Sequence, residues 1–480
     1  MIATPTTPVI DSLTLTAHLT AHPTVHPPGN VRAVSAQENR TPSSPTQRLL
    51  GQELVPAVNP DQPYQCHLRG WILSQGQPVT TIAVRYQQQV LRQTAVNLPS
   101  PDIASQYAQM PEVTGADRCR FELTFSLLGL PSPVDLEIRV AWDNPDAHTL
   151  DPQSDQIELT LATLRLRHPP LQTAYSPHFQ PLILTSLGRT GSTWFMHLLS
   201  QHPQIITHRA HPYETRIAQY WLQMLRVLTQ PADLTASTPH EGFEQNLHWI
   251  GANPFGRAGM LPPGPAQWLG QNYVVQLATF CQQSIDGFYA QLAQAQHQAM
   301  GDTERRCYFA EKWVISPNVE LAWQLYPQAR EVILVRDFRD MVCSMLAFNA
   351  KRGYASFGRQ KVTTDAEFIR DRVLTFATKL LRRWQQRPQQ IEVVRYEDLI
   401  QSPVPTLTRL LTYLDLLSDA DMIAQMQTQA LGDSPDWQAH RTSESVQTSI
   451  GRWRMDLPAD LQDLCHAVLA EPLQAFGYDL

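Results

Sequence analysis

Two stretches of this 480-residue chain carry residue types and spacings suited to holding an anion, and a third could move a proton. The first is PLILTSLGRTGSTWFMHLLS (181 to 200). Leu182, Ile183 and Leu184 read as a short buried strand, and Trp194, Phe195, Leu198 and Leu199 recur with the spacing of one helix face. Between them, Arg189-Thr190-Gly191-Ser192-Thr193-Trp194 places a glycine and two hydroxyls where a helix begins. Free backbone N–H groups and the helix dipole favour a negative ligand there; an ordinary strand-to-helix turn is the bland alternative. The second stretch, VILVRDFRDMVCSMLAF (332 to 348), reads as a strand ending in Arg336, then a helix carrying Ser344. One anion reaches both, unless Arg336 instead pairs with Asp337 or Asp340. The third, ITHRAHPYETRIAQYW (206 to 221), offers His208, His211 and Glu214 just beyond a predicted strand. Each is a candidate proton acceptor, and Glu214 has the competing option of capping or pairing within the following helix.

The loop fails as a nucleoside triphosphate site. In GxxxxGK[ST] the Lys follows the last glycine, whereas this chain has Ser192 there and Ser186 at the first glycine position.

These segments need a scaffold, and the C-terminal part supplies its pattern. From 178 to 480 the apolar runs LILTS, IITH, YFAEK, VILVR and IEVVR alternate with amphipathic segments. That predicts an α/β fold, a P-loop-like parallel sheet flanked by helices, with ligands beyond the C-terminal strand ends. Residues 61 to 170 carry short strand-like runs such as TTIAVRYQQQVL, RCRFELTFSLL and VDLEIRVAW between turn formers, the pattern of a small all-β sandwich. Trp71 and Trp142 are expected in its core. Residues 1 to 60, rich in Thr, Pro and Ser without hydrophobic periodicity, read as a disordered tail or linker.

Composition narrows the function classes. A net charge of −7 argues against general nucleic-acid binding, so any anion site is local. Six scattered cysteines form no zinc pattern and suit reduced thiols in a cytoplasmic protein. No run is long and apolar enough for an export signal or a membrane span.

The ordered motifs from about 180 onward resemble the sulfotransferase superfamily that uses 3′-phosphoadenosine 5′-phosphosulfate, PAPS. RTGSTW is similar to the family's RSGST form of the 5′-phosphosulfate loop, and RDFRDMVCS to its RDPRDVxxS 3′-phosphate motif, with Phe338 in place of proline. VVRYEDLIQSP, containing Tyr396, resembles the YEDL segment. SIGRWR, containing Gly451, Arg452, Trp453 and Arg454, resembles the late loop over the nucleotide, although Thr448 takes its first glycine position. YFAEKWVISPN resembles EKTPxN, whose lysine lies near the transferring group. That makes Lys312 a candidate charge stabiliser, with a salt bridge to Glu311 as the plain alternative. The Glu-Thr-Arg at 214 to 216 resembles the segment bearing the catalytic glutamate of protein-tyrosine sulfotransferases, favouring Glu214 over the histidines. Residues 61 to 170 loosely resemble immunoglobulin-like modules fused to bacterial carbohydrate-modifying enzymes.

The resemblance implies in-line transfer of a sulfuryl group from PAPS to an acceptor hydroxyl of a small molecule, lipid or glycan, without a metal. It implies that Arg189, Thr190, Gly191, Ser192, Thr193 and Trp194 bind the nucleotide, with Arg189 also stabilising the leaving phosphate. Arg336 and Ser344 would take the 3′-phosphate. The Gly- and Pro-rich stretch 253 to 268 is a candidate substrate-side loop or a mere connection. A P-loop nucleotide kinase and a non-catalytic nucleotide-binding protein are the rival readings.

Overall fold

The computed structural model describes residues 8–15, 49–59, 62–87, 89–110, 113–143, 156–231, 252–253, 263–296, 308–313, 317–430 and 442–480. In chain order its strands are β1 (Val9–Leu15), β2 (Leu49–Ala57), β3 (Gln65–Ser74), β4 (Thr81–Tyr86), β5 (Gln89–Ala95), β6 (Arg120–Ser126), β7 (Val134–Asp143) and β8 (Gln156–Arg167). They continue with β9 (Gln180–Ser186), β10 (Ile205–Ile206), β11 (Gln230–Pro231), β12 (Ala252–Asn253), β13 (Tyr308–Trp313), β14 (Arg330–Val335) and β15 (Ile391–Arg395). The chain divides into two compact units, Met1–Ala174 with Met224–Ala278, and Tyr175–Gln223 with Thr279–Leu480. Residues 224–278, expected within the C-terminal domain, thus group with the first unit.

In the first unit two antiparallel sheets, ordered β1-β8-β7-β4-β5 and β2-β3-β6, contribute to one apolar cluster. Leu68, Phe121 and Phe125 come from one sheet, and Ile82, Val84, Leu136 and Ile138 from the other. The period-2 alternation of VDLEIRVAW produces this burial, with Val134, Leu136 and Ile138 inward. Trp142 lies in the core and donates to Ser74 Oγ at 3.2 Å. Trp71 does not. It alternates with the buried Ile72, so it faces the other side of β3, half-buried edge-on to Tyr107 with its N–H on Glu53.

Part of the expected tail is ordered. β1 pairs with β8 and β2 with β3, both antiparallel. These strands take their backbone hydrogen bonds from a neighbour and rest a few apolar residues, Ile10, Leu13 and Leu54, on the shared cluster. Their own sequences therefore carry little periodicity. Residues 16–48 lie outside the described residues, as do Cys307 and most of the candidate substrate-side loop, 254–262. The rest of that loop begins the helix Pro263–Ala295.

The second unit holds a parallel sheet ordered β10-β13-β9-β14-β15. Leu182, Ile183 and Leu184 on β9 and Val332 to Val335 on β14 are fully buried, as strands covered on both faces require. Helices Ser192–Leu199, Pro403–Leu414 and Ala420–Ala430 cover one face, clustering with Leu182 and Leu184. Helices Phe338–Arg352, Leu374–Gln386 and Ala459–Val468 cover the other, clustering with Ile333 and Val335. The helices leaving the adjacent strands β9 and β14 thus depart to opposite faces, opening a crevice at the carboxyl ends of those strands. Phe338 fits this arrangement as the first residue of its helix, fully buried and edge-on to Phe476, while Asp337 caps the helix by accepting from Arg339 N. Among the described residues no helix is long and apolar enough to cross a membrane.

If β9 is the structural centre of this unit, Leu184→Ala leaves a cavity beneath the helical layer that packs on Leu182 and Leu184 and costs about 2–5 kcal/mol. Chemical denaturation reads this as a lowered midpoint; a cost below about 0.5 kcal/mol, the scale of surface substitutions, contradicts the central placement.

Candidate active site

The turn after β9 is shaped by Gly191, which precedes the helix Ser192–Leu199 at φ 86°. A Cβ there would lie 2.7 Å from the Tyr396 ring, so glycine serves both the left-handed backbone and the close approach of that ring. Thr190 is fully buried and donates to Leu187 O at 3.0 Å, which fixes the turn rather than presenting its hydroxyl to a ligand. No side chain caps this helix start.

Before it lies a cavity of about 760 Å³, the size of a site for a small molecule. Three kinds of wall meet in it. Arg189, Arg336, Ser344, Thr442 and Ser449 form a cationic, hydroxyl-rich wall; Trp194, Leu198, Leu399, Ile400, Pro403 and Leu407 form an apolar one; His211, Glu214 and Lys312 form the third, beside Ser192 and Thr193.

On the cationic wall Arg336, 5% exposed, donates to Arg189 O at 3.2 Å and to Ser449 O at 2.5 Å, and its guanidinium lies over the Tyr396 ring. Its Nε is buried without a partner. The alternative pairing of Arg336 does not form: Asp337 binds Arg339 at 2.8 Å, and Asp340 accepts from the N–H groups of Gly451 and Trp453. Arg189 donates to Ser344 Oγ at 3.1 Å and stacks on Phe348. Ser344 Oγ meets Thr442 Oγ1, which also accepts from Arg452 at 3.1 Å. Burial, then the charges of Arg336 and Arg452, push the Arg189 guanidinium down to about 10. A part-buried cluster of like charges, with a buried unpartnered N–H beside it, suits a multiply charged anion such as phosphate.

The third wall is built from β13. Successive residues on a strand face opposite sides. Glu311 turns inward, fully buried, and accepts from Ala218 N at 2.8 Å, Gln219 and Tyr289, anchoring the start of helix Ile217–Leu228. Lys312 turns to the cavity, donates to Thr193 Oγ1 at 3.1 Å and lies 3.5 Å from Glu214. The alternative Lys312–Glu311 bridge does not form, Lys312 meeting Glu214 instead, and Glu311 occupies the capping role considered for Glu214. Burial pushes the Lys312 ammonium below its ordinary value, and Glu214 opposes that shift.

Among the other residues named from sequence, His211 lines the cavity, whereas His208 is exposed and outside it. Tyr396 lines it and meets Ser449 Oγ at 3.3 Å. Gly451, Trp453 and Arg454 do not line it: Trp453 is buried between the guanidiniums of Arg339 and Arg454. Arg452 reaches the site through Thr442. Thr442 was not singled out from the sequence, Ser449 entered only as the first residue of SIGRWR, and Asp340 only as an alternative partner of Arg336. The hydroxyl-rich run TSESVQTS was the available signal for the first two.

Residues 181–420, 240 of the 480 in the chain, match the model of the sulfotransferase family. The chain belongs to that family. Similar solved structures include the sulfotransferase domain from the curacin biosynthetic pathway, 15% identical over 64% of this chain and 100% of that one, with a TM-score of 0.38. The sulfotransferase domain of the Synechococcus PCC 7002 olefin synthase is 20% identical over 64% and 99%, with a TM-score of 0.34. A sulfotransferase from Alicyclobacillus acidocaldarius is 14% identical over 64% and 98%, with a TM-score of 0.32. Scores this low carry nothing about substrate. No curated protein matches.

In this sulfotransferase Asp340 ties the 451–453 loop to the helix bearing Ser344. Burial pushes its carboxyl up from 3.8 to about 6, against the two N–H groups it accepts from. A raised folded value means that the native state holds the proton more tightly, so this group's contribution is full below about 4 and lost as pH rises through about 6. Asp340→Asn lacks that titration. Its thermal midpoint should therefore gain on the wild type between pH 4 and 6; a constant difference contradicts the burial of the charge.

Proposed function

We propose that this sulfotransferase transfers a sulfuryl group from PAPS to the hydroxyl of a small-molecule, lipid or glycan acceptor. The observation that carries the reading is one cavity uniting the crowded Arg189, Arg336 and Ser344 wall with a Glu214–Lys312 pair at a helix start. The chemistry of the walls fits the donor: Arg336, with its orphaned Nε, and Ser344 and Thr442 suit the 3′-phosphate, and Trp194, Leu399 and Leu407 suit a purine.

The donor supplies a sulfuryl group on a phosphate leaving group, and this chain's residues do the rest. Glu214, which lines the cavity with a side chain 10% exposed, takes the proton of the acceptor hydroxyl. Lys312, the Thr193 hydroxyl and the N–H groups at the helix start offset the charge that grows on the leaving oxygen. Arg189 serves the same charge from the cationic wall. We read the two antiparallel sheets as a sandwich-like accessory module. The thiols of Cys66 and Cys281, pushed up to about 12 by burial, suit inert cysteines in a cytoplasmic protein.

The test is incubation with labelled PAPS and a mixed panel of hydroxyl acceptors in chelator. Sulfated product should form, and Glu214→Gln should bind nucleotide normally while turning over about 10²–10⁴-fold more slowly. Metal-dependent phosphorylation from ATP in its place would point to a kinase.

A further inference from the structure

We propose that Phe348 is a positioning residue for Arg189, an aromatic plate that holds the guanidinium at the site while leaving its charge to the bound anion. The proposal rests on the reading of Arg189 as an anion ligand. Arg189 lines the cavity, whereas Phe348 lies outside that lining, 5% exposed, with the Arg189 Cζ 4.3 Å from its ring centroid.

The helix Phe338–Arg352 sets this up. Ser344 and Phe348 are four residues apart and so share one helix face. Arg189 lies along that face: its Nε donates to Ser344 Oγ at 3.1 Å, and its Cζ sits over the ring one turn on. The backbone that delivers the side chain is fixed as well. Arg189 adopts φ 67°, a left-handed conformation uncommon for a residue with a side chain, and its carbonyl accepts from Arg336. The Phe357 ring comes so close to Gly188 that a Cβ there would lie 2.7 Å away.

A hold of this kind answers an electrostatic problem. Arg336 and Arg452 both repel Arg189. A carboxylate in the ring's place would restrain the guanidinium but cancel the charge to which an anion is drawn. An aromatic face attracts the cation through its quadrupole, uses none of its N–H groups and leaves the net charge unchanged. It also favours arginine over lysine, because the flat, weakly hydrated guanidinium stacks on a ring. Arg352 lies over Phe348 too, at 5.0 Å, but it is closer to Tyr354, at 4.0 Å, so a different ring serves it better.

The test is a double-mutant cycle on the full chain, read by calorimetry with PAP, the desulfated nucleotide, and by the thermal midpoint of each variant. Phe348→Leu and Phe348→Met both remove the aromatic face and keep an apolar side chain. Each should weaken PAP binding about 5- to 30-fold, the range of a desolvated cation–π contact, and Phe348→Tyr, which keeps the face, should stay within about threefold of wild type. In an Arg189→Met background the same replacements should add less than about twofold, because the cation they act on is gone. A ring that only fills the core would lower the midpoint and cost the same affinity with or without Arg189. PAP affinity within about twofold of wild type in folded Phe348→Leu and Phe348→Met, or a loss that persists in full beside Arg189→Met, overturns the proposal. An Arg189→Met protein that binds PAP as the wild type does is a separate failure: it removes Arg189 from the anion site and takes the role of Phe348 with it.

Discussion

The Arg336 guanidinium, at the carboxyl end of β14, is the contact on which the site depends. It donates to the carbonyl of Arg189 in the turn after β9 and to that of Ser449 in the late loop. It also lies on the Tyr396 ring, and that ring closes against Gly191. One buried cation thus joins segments from three distant parts of the sequence. Buried charge is costly unless it is compensated. The carbonyls compensate part of the cost, and the nearby charge of Arg189 opposes that of Arg336. An anion that reverses that sum gains binding energy from a cluster already assembled.

The reacting side is organised by a different constraint, the alternation of a strand. Glu311 and Lys312 are neighbours on β13, and the pleat sends them to opposite faces. The buried carboxylate fixes the start of helix Ile217–Leu228, which sets the preceding loop and hence Glu214. The lysine meets Glu214 from the strand side. The proposed base and charge stabiliser are therefore located by one dipeptide.

Much of this was legible in the sequence. The parallel sheet followed from continuous apolar runs such as VILV, which only a strand covered on both faces explains. Arg336 and Ser344 stood out by their place at a strand end and on the next helix, and both line the cavity. What was not legible depended on tertiary context. β1 and β2 take their order from partner strands. Trp71 looked like sandwich core because its type favours burial, while its register puts it on the other face of β3, against a smaller cluster with Leu73, Ile103 and Cys119. Trp453 sat in a nucleotide-loop motif but serves packing. Thr442 and Asp340 act through contacts with segments about 100 residues away in sequence, a relation that local pattern does not carry.

The central claim is that the Arg336 wall holds a phosphate remote from the reacting group. Calorimetry with PAP and with adenosine 5′-phosphate, on wild type and Arg336→Ala, tests it most directly. A charge-assisted hydrogen bond of about 1.5–3 kcal/mol predicts that the variant loses roughly ten- to a hundredfold in PAP affinity. Its affinity for adenosine 5′-phosphate should hardly change. A folded variant that keeps the full wild-type preference for PAP would contradict the account.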